Sequence, residues 1–422
     1  MKNGHLGDGH LDNRPLRSGH HFFKTTGQGC SYSLCDDGVI HFDAVIVPAA
    51  CGDVQAQARS AIERLHSLLR RERLEGCVTA HTVFLRDLND AKVVRRLLLD
   101  YYGDHLPALT FVPQKPCDDA VVLLFEVRAM KGNPGRIRIR RISEHAVSID
   151  AQGVSLGFFG GLVPGDGASG AYNESISALE RLGAELEAAG YGISDLLRTW
   201  IYQGSIVRPE GKTQRYKELN RARTDFFEGI QFLTGFVPPL VQKAVYPAST
   251  GIGADGLGVT LAALALKTDR KDVRCVPLEN PDQTPAFDYG AVYSPQSPKF
   301  SRAMALAADE RCTVYVSGTA SIVDSETKHL DDPAAQTRQT LENIRRLING
   351  ENLARHGIDG FDAGIENLTS ARVYVKYPEH YHTIREICEK LLGSTPMIFT
   401  HSDVCRDELL VEIEGIAACT KK

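Results

Sequence analysis

Apolar and polar positions follow the same order in three successive stretches of the chain. Each stretch predicts short strands, an amphipathic helix, a polar loop, a strand, a second helix and two final strands. In the first stretch these elements lie at 39–50, 54–72, 77–87, 90–102 and 121–130. In the second they lie at 154–163, 174–190, 196–207, from about Gln214 onward, and at 258–266. In the third they lie at 311–323, 334–348, 368–377, 382–393 and 407–417. The sequence therefore predicts three repeated units.

The helix predicted at 334–348 shows how each unit is expected to pack. Its buried stripe recurs every three or four residues, at Thr337, Leu341, Ile344 and Ile348. Asp331 or Asp332 can cap its first turn, and Pro333 suits that turn. A helix with one apolar face needs a sheet to pack on. Each unit is therefore predicted to be an α+β layer, one sheet with two helices on one face.

These stretches also set the predicted domain boundaries. Residues 1–36 are rich in Gly, His and Asn and have no apolar period, which predicts a mobile tail. Three domains are predicted at 37–138, 139–270 and 301–422. The segment 271–300 is predicted to be a linker between the second and third domains.

Composition and charge exclude several classes of protein. Among 422 residues, 48 Lys and Arg stand against 53 Asp and Glu, so no broad basic face for nucleic acid is expected. The longest apolar runs, Ala44–Cys51 and Leu257–Leu266, are shorter than the roughly 20 residues that cross a bilayer. The first residues lack the apolar core of a secretory signal. We therefore predict a soluble, cytoplasmic protein that binds neither nucleic acid nor a membrane.

The sequence offers no convincing metal or cofactor site. The ten cysteines include no C-x-x-C pair, which argues against a zinc ribbon or finger. His380 and His382 lack a third ligand in register. Gly251, Gly253 and Gly256 match a dinucleotide fingerprint, but a strand follows them where the fingerprint needs a helix. We therefore predict neither a metal nor a cofactor.

The repeated unit resembles the Rid (YjgF) family, whose members are trimers with sites in the clefts between neighbours. The resemblance rests on the helix pattern A-Q-[AT]-R-x-[AT]-[IL]-E at Ala56–Leu65 and Ala335–Ile344, and on the closing strands at Phe125–Ala129 and Val411–Gly415. It implies a chorismate-mutase-like α+β fold. Three such units in one chain imply an intramolecular pseudo-trimer that is a monomer or a weak oligomer.

The carboxylate-binding arginine of Rid enzymes has no counterpart in this chain. Rid enzymes hydrolyse reactive imines and carry that arginine in a P-A-R-S-like segment. The corresponding segments here read P-A-L-T at 107–110, P-A-S-T at 247–250 and P-M-I at 396–398. This difference argues against generic imine deamination.

A closer resemblance, over about residues 140–418, is to the chorismatases, which remove pyruvate from chorismate. The matching segments are R-T-W-I-Y at 198–202, R-Y-K-E-L-N-R-A-R at 215–223, P-A-S-T-G-I-G at 247–253, L-E-N-P-D-Q at 278–283, Y-S-P-Q-S-P-K-F-S-R-A at 293–303, S-G-T-A-S-I at 317–322 and D-V-C-R-D-E-L-L-V-E-I-E at 403–414. The resemblance implies a cofactor-free enzyme whose partner is a small dicarboxylate. The loop at 203–214 departs from the family pattern, and the N-terminal unit is additional to what we expect of the family.

Glu412 is the candidate acid. Cleaving an enolpyruvyl ether requires a proton on its terminal methylene carbon, and a carboxyl group in an apolar strand keeps its proton near neutral pH. Glu414 lies two residues further on and faces the same side, so the two glutamates are expected to interact. The alternative is that both are solvated glutamates on an edge strand.

Two positions indicate the product. By resemblance, chorismatases that form 3-hydroxybenzoate carry Cys in the D-[IV]-C-R segment and Gly in the S-G-T-A-S segment, whereas those that form a dihydrodiol tend to carry Ala at both. Here these residues are Cys405 and Gly318, and the adjacent Thr319 is a further candidate for substrate binding. The alternatives are a buried small thiol at Cys405 and a simple bulge at Gly318.

A polar helix face and a strand provide further substrate-binding candidates. They are Arg215, Tyr216, Asn220 and Arg223 on the helix, and Arg372 and Tyr374, which share one face of the strand. The alternative for both groups is a solvated surface.

The predicted function is removal of pyruvate from chorismate for secondary metabolism. The alternatives are a related enzyme on another carboxylated enol ether or imine, and a non-catalytic Rid-like scaffold.

Overall fold

Three six-stranded sheets, each with helices on one face, make up the chain. The computed structural model describes residues 21–26, 29–36, 38–49, 51–133, 135–237, 244–290 and 296–421. Each sheet belongs to one of the predicted units, so the prediction of three α+β units is confirmed. No helix in the described part of the chain is long and apolar enough to cross a bilayer.

The first unit has strands β1 (His21–Thr26), β2 (Gly29–Asp36), β3 (Val39–Ile46), β4 (Val78–Leu85), β5 (Ala108–Pro113) and β6 (Leu123–Gly132), in the order β1-β2-β3-β6-β4-β5. Its helices are α1 (Val54–Arg71) and α2 (Ala91–Tyr102). The predicted tail at 1–36 is wrong for residues 21–26 and 29–36, because β1 pairs with β2 and β2 pairs with β3, which extends the sheet. Residues 1–20 lie outside the described residues.

The second unit has strands β7 (Ile137–Arg141), β8 (Ala146–Ala151), β9 (Val154–Leu162), β10 (Leu196–Gly204), β11 (Pro209–Glu210), β12 (Thr213–Gln214), β13 (Ala248–Ala254) and β14 (Val259–Thr268). Strands β11 and β12 form a small separate hairpin, and the other six are ordered β13-β10-β14-β9-β8-β7. The helices are α3 (Ala171–Ala188) and α4 (Arg215–Phe226).

The third unit has strands β15 (Arg274–Leu278), β16 (Ala303–Ala308), β17 (Arg311–Ala320), β18 (Ile322–Val323), β19 (Glu326–Thr327), β20 (Leu368–Val375), β21 (Met397–His401) and β22 (Val411–Thr420). Six of them are ordered β15-β16-β17-β22-β20-β21, and β18 pairs only with β19. The helices are α5 (Pro333–Ile348), α6 (Gly350–Arg355) and α7 (Tyr381–Leu392). The predicted linker at 271–300 is therefore wrong in part, because β15 is the edge strand of this sheet.

Helix α5 forms as its sequence predicts. Asp332, not Asp331, caps it: the Asp332 side chain accepts a hydrogen bond of 2.9 Å from the Ala335 amide, and Pro333 occupies the first turn. The predicted stripe is buried, and Leu341 and Ile344 pack in the core beneath the sheet. Burial of this one face holds the helix on the sheet.

The central strand pairs of the three sheets share one register. A bulge occurs near the start of each of the pairings β20–β22, β10–β14 and β4–β6. The fifth residue pair after the bulge is Tyr374–Glu412, Tyr202–Thr260 and Phe84–Leu124, respectively. The strands therefore supply equivalent positions in three units. The chain folds as an intramolecular pseudo-trimer in which one position carries three different residues: Glu412, Thr260 and Leu124.

Candidate active site

A cavity of about 740 Å³ lies between the second and third units. The second unit contributes the start of α4 and strand β13 to its wall, and the third unit contributes the bulge of β17, strand β22 and the loops beside them. The lining side chains and glycines that matter for chemistry are Tyr216, Lys217, Ser249, Tyr289, Phe300, Arg302, Gly318, Cys405, Arg406 and Glu412.

Glu412 lies in the wall of this cavity, as predicted for the acid. It is only 5% exposed and pairs across the sheet with Tyr374. Burial, together with the charge of Glu414, raises the pKa of Glu412 to about 8, although Arg198 and Arg302 act in the opposite direction. The carboxyl group therefore carries its proton at neutral pH.

Gly318 gives the Glu412 carboxyl group its space. It lies in the bulge of β17, and a Cβ atom at this position would overlap Oε1 of Glu412 and meet Cγ2 of Thr250 at 3.1 Å. The Gly318 amide donates a hydrogen bond of 2.9 Å to Oγ1 of Thr250. The absence of a side chain at Gly318 therefore allows the Glu412 carboxyl group to occupy the place it has in this structure.

We expect Gly318→Ala to lower kcat for the reaction of this site by about a hundredfold, because a shift of about 1 Å in a reacting group has an effect of that size. Gly235→Ala is the matched control, since a Cβ atom there meets nothing within 4 Å. Steady-state kinetics of both variants, alongside thermal unfolding, test this. Equal rates in Gly318→Ala and the wild type would contradict this expectation, because they would show that the Glu412 carboxyl group can act from a different position.

Cys405 also reaches the cavity, beside Glu412. Burial, together with the nearby Glu412 charge, raises the pKa of Cys405 to about 12. Its side chain is therefore a neutral thiol at physiological pH and is not a pre-formed thiolate nucleophile.

Arg302 is a cavity residue that the sequence analysis did not single out. It is 4% exposed and donates to the Tyr289 hydroxyl and, at 3.1 Å, to the Thr284 carbonyl. Its Nε–H has no partner among the described residues. Lys217 and Arg406 line the same cavity, which therefore presents several cations to one buried acid. Arg302 is the next-to-last residue of the matching segment at 293–303, and its place in that segment was the signal available in the sequence.

Arg215 does not line the cavity, so it is not placed as a substrate ligand. Its guanidinium group is buried and paired with Glu174 at 2.9 Å and with Glu210. Its Nε donates to the Gly204 carbonyl at 2.9 Å. These bonds tie the start of α4 to the end of β10, which is a structural role.

Asn220 and Arg223 form a layer behind the cavity wall. Arg223 donates to Asn220 Oδ1 at 2.7 Å and to Ser249 Oγ at 3.2 Å, and its guanidinium carbon lies 5.4 Å from the centre of the Phe300 ring. Of the four predicted helix residues, only Tyr216 lines the cavity. Helical spacing identified the correct face, but two of its residues support the wall and do not contact the space.

Arg372, Tyr374 and Glu414 belong to a buried network where the three units meet, so the structure does not place them in the cavity. Glu414 accepts hydrogen bonds from Tyr374 at 2.7 Å and from Arg372 at 3.0 Å, and it pairs with Arg198 of the second unit. Arg372 also pairs with Glu126 of the first unit, with Nε at 3.0 Å from Oε1. The network joins all three units.

The single tryptophan, Trp200, packs among the arginines of this network. The guanidinium carbons of Arg198, Arg128 and Arg372 lie 4.8, 5.0 and 5.4 Å from its ring centre. Thr319 is also a structural residue, because its hydroxyl donates to the Ser317 carbonyl at 2.9 Å and does not line the cavity.

Thr250 connects the network to the acid site. Its hydroxyl donates to Glu414 and accepts hydrogen bonds from Arg198 and from the Gly318 amide. The bulge that makes room for Glu412 is therefore fixed to the central ion pairs. The predicted interaction of Glu412 with Glu414 is electrostatic, because the charge of Glu414 raises the pKa of Glu412.

The comparisons with known proteins agree with this geometry. No protein-family model matches the chain. It is 36% identical to the 3-hydroxybenzoate synthase of Streptomyces hygroscopicus over 265 residues, which are 61% of this chain and 73% of that protein. It is 34% identical to a chorismatase of the same species over 259 residues, which are 60% of this chain and 70% of that protein. The chain belongs to the chorismatase family.

A crystal structure of a chorismatase has the same fold. It matches with a TM-score of 0.64 at 22% identity, over 89% of this chain and 98% of that one. The second and third units together make up only about two thirds of the chain, so the match extends into the first unit. The N-terminal unit is therefore part of the chorismatase fold.

The three clefts of this chorismatase-family chain differ in the residue at the acid position. Glu412 faces the cleft between the second and third units, whereas Leu124 lines a cleft between the third and first. Between the first and second units, Gly160 and Gly161 pack closely against Leu109 and Thr110. Among the described residues, only one of the equivalent positions can donate a proton.

No group of three or more metal-binding side chains occurs in the described ranges.

Proposed function

We propose that this chain removes pyruvate from chorismate and forms 3-hydroxybenzoate, as a step of secondary metabolism. The observation that carries the proposal is Glu412, a buried and protonated carboxyl group in a cleft that also holds Arg302. The similarity to a 3-hydroxybenzoate synthase and a chorismatase supports the same substrate for this chain.

Glu412 starts the reaction as the acid. Chorismate carries its pyruvate unit as an enolpyruvyl ether. When the carboxyl O–H bond of Glu412 breaks, the proton forms a new C–H bond at the terminal methylene carbon. The ether carbon becomes an oxocarbenium centre that is open to attack, and the Glu412 carboxylate left beside it stabilises the positive charge.

The cations of the cavity suit a substrate with two carboxylates. The unpartnered Nε–H of Arg302 is a donor for one carboxylate, and Lys217 and Arg406 supply positive charge for the second. Arg302 is buried, which strengthens its interaction with a carboxylate. Ser249 occupies the position of the missing Rid arginine, so these cations act in its place.

The atoms balance without a cofactor. Chorismate contains the same atoms as 3-hydroxybenzoate plus pyruvate, whereas a dihydrodiol product requires one added water. For the 3-isomer the ether oxygen stays on the ring. The oxygen of the neighbouring ring hydroxyl then bonds to the oxocarbenium carbon and returns its proton to Glu412. The bond from that carbon to the ether oxygen and the bond from the ring to the hydroxyl oxygen break, so pyruvate leaves with the hydroxyl oxygen, and the ether oxygen takes up a proton as the phenol. The ring loses a carbon-bound proton and becomes aromatic. We assign the neutral thiol of Cys405 to this ring step.

A coupled assay tests the proposed substrate. Purified protein is incubated with chorismate, and pyruvate is followed with lactate dehydrogenase. We expect pyruvate release far above the spontaneous breakdown of chorismate. Ammonia release from amino-acid-derived imines, measured in parallel, is expected to be negligible. Rapid ammonia release without pyruvate would point to a Rid-type deaminase, and no turnover of either substrate would point to a scaffold.

The rate is expected to depend on pH through Glu412. Because the pKa of Glu412 is raised to about 8, the protonated acid predominates below that pH and is lost above it. We therefore expect kcat/KM to be flat near neutral pH and to fall tenfold per pH unit well above 8. The folded state binds this proton more tightly than the unfolded chain, so this group also lowers stability as pH rises from about 4.5 towards 8. A rate that rises through pH 8 would contradict the assignment.

A further inference from the structure

A second cavity, of about 1030 Å³, lies between the third and first units. Its floor is apolar and consists of Val121, Leu124, Met397 and Phe399. Tyr381, at the start of α7, adds a second aromatic ring, and its centre lies 5.7 Å from that of Phe399. An apolar floor with a few polar groups beside it is typical of a small-molecule site.

This second cavity is the counterpart of the acid cavity in the pseudo-trimer. Leu124 occupies the strand position of Glu412. Met397 occupies that of Ser249, because their partners Ala371 and Thr199 each lie three residues before the equivalent Tyr374 and Tyr202. The second cavity lacks the acid, because Leu124 stands where the acid cavity has Glu412. It is therefore suited to binding and not to proton transfer.

Two hydrogen-bond donors at the wall have unused capacity. Arg385 donates through Nε to Glu389 at 2.7 Å and through Nη1 to the Tyr381 hydroxyl at 3.1 Å, which leaves Nη2 available. The Tyr381 hydroxyl accepts that bond, and its own proton has no acceptor among the residues that the structure describes. Burial raises the pKa of Tyr381, so the hydroxyl stays a donor. A guanidinium and a hydroxyl side by side suit one carboxylate.

The charges on the rim limit the ligand to one carboxylate. Asp118 and Glu389 line the same cavity and are partly or fully exposed. A second carboxylate on the ligand would face these two negative groups, which disfavours a dicarboxylate such as chorismate. An aromatic ring fits the apolar floor, and one carboxylate can accept hydrogen bonds from Arg385 and Tyr381.

We propose that this cavity is a non-catalytic binding site for an aromatic monocarboxylate of the size of benzoate. The product of the proposed function, 3-hydroxybenzoate, belongs to this class, and to that extent the biological ligand rests on the proposed function. The binding chemistry itself rests only on the cavity.

Isothermal titration calorimetry with benzoate tests the site, with neutral benzamide as the matched ligand. We expect benzoate to bind, benzamide to bind at least tenfold more weakly, and Arg385→Gln to weaken benzoate about tenfold. Arg385→Gln is expected to leave pyruvate release at saturating chorismate within twofold of the wild type. Arg302→Gln, in the acid cavity, is expected to leave this benzoate binding unchanged. Equal binding of benzamide, or benzoate binding lost in Arg302→Gln but not in Arg385→Gln, would overturn the proposal.

Met397→Trp provides a second test by filling the cavity. We expect it to abolish benzoate binding while the circular dichroism spectrum and thermal unfolding show a folded protein. If benzoate still binds with the wild-type affinity, the site is elsewhere and the proposal fails. Binding is measured without turnover. Benzoate binding without pyruvate release would therefore refute the proposed function alone, and pyruvate release without benzoate binding would refute this inference alone.

Discussion

Replacing Glu412 with Gln is expected to lower kcat for pyruvate release from chorismate by about a hundredfold to ten-thousandfold, the usual contribution of a positioned acid. Glutamine has nearly the same shape and cannot give up a proton. Because the side chain contributes little to ground-state binding, KM is expected to change by less than a factor of about three. Initial rates of pyruvate release over a range of chorismate concentrations measure both constants.

Glu351→Gln is the matched control, because Glu351 is exposed and pairs with Arg355 on the same short helix. It is expected to keep the wild-type kcat. The pH profile provides a second test. The residual rate of Glu412→Gln is expected not to fall above pH 8, because the variant lacks the carboxyl group that titrates there. If Glu412→Gln retained full activity, another group would have to be the acid.

The second large effect is expected on stability, from Arg372→Met. Arg372 is 5% exposed and pairs with Glu126 and Glu414, so its removal leaves two buried carboxylates short of their partner. Breaking a buried ion pair in this way costs about 3–5 kcal/mol of the free energy of unfolding. Urea unfolding followed by fluorescence of Trp200 reports the loss, because that ring packs on Arg372.

The control for Arg372 is Arg345→Met, which removes an exposed pair with Glu342 and is expected to cost less than about 1 kcal/mol. The kinetics of the folded fraction decide between two roles for Arg372. A structural role leaves KM for chorismate unchanged. A large rise in KM with unchanged stability would restore the sequence-based assignment of Arg372 as a substrate ligand.

The repeated core of the fold could be predicted from the sequence because its signals are local. Helix α5 begins and ends within one residue of its prediction, since a capping aspartate, a proline and an apolar stripe all mark it. The outer strands β7, β8, β15 and β16 were missed. Strand β7, for example, alternates isoleucine and arginine and is half exposed. Its sequence alone therefore resembles a polar loop, and only its pairing with β8 shows that it is a strand.

The site could be predicted only in part. Alternation along a strand predicts on which face of the sheet a side chain lies, but it does not predict which residues that side chain contacts. Glu412, Cys405, Gly318 and Tyr216 were predicted and do share one cavity. Glu414 lies on the same face as Glu412, yet it meets Arg198 from another unit about 216 residues away in the chain. No local pattern predicts such long-range pairs. Arg302 was not singled out as a cavity residue for the same reason.

One chain with three unlike units allows its clefts to differ. A trimer of identical subunits repeats every residue three times, whereas here Glu412, Leu124 and Thr260 occupy one equivalent position. The acid cleft can therefore be optimised for one anionic substrate without affecting the other two. A net charge of −5 is compatible with this, since a few placed arginines define the site.

The most direct test of the account is the product balance from chorismate. The reaction is quenched at intervals, pyruvate is determined enzymatically, and the ring product is separated by chromatography against 3-hydroxybenzoate and dihydrodiol standards. We predict one 3-hydroxybenzoate for each pyruvate from the first turnover onward, and release of both products slowed by about a hundredfold to ten-thousandfold with Glu412→Gln. A dihydrodiol in place of 3-hydroxybenzoate would contradict the roles given to Cys405 and Gly318, and the absence of pyruvate would contradict the proposed function itself.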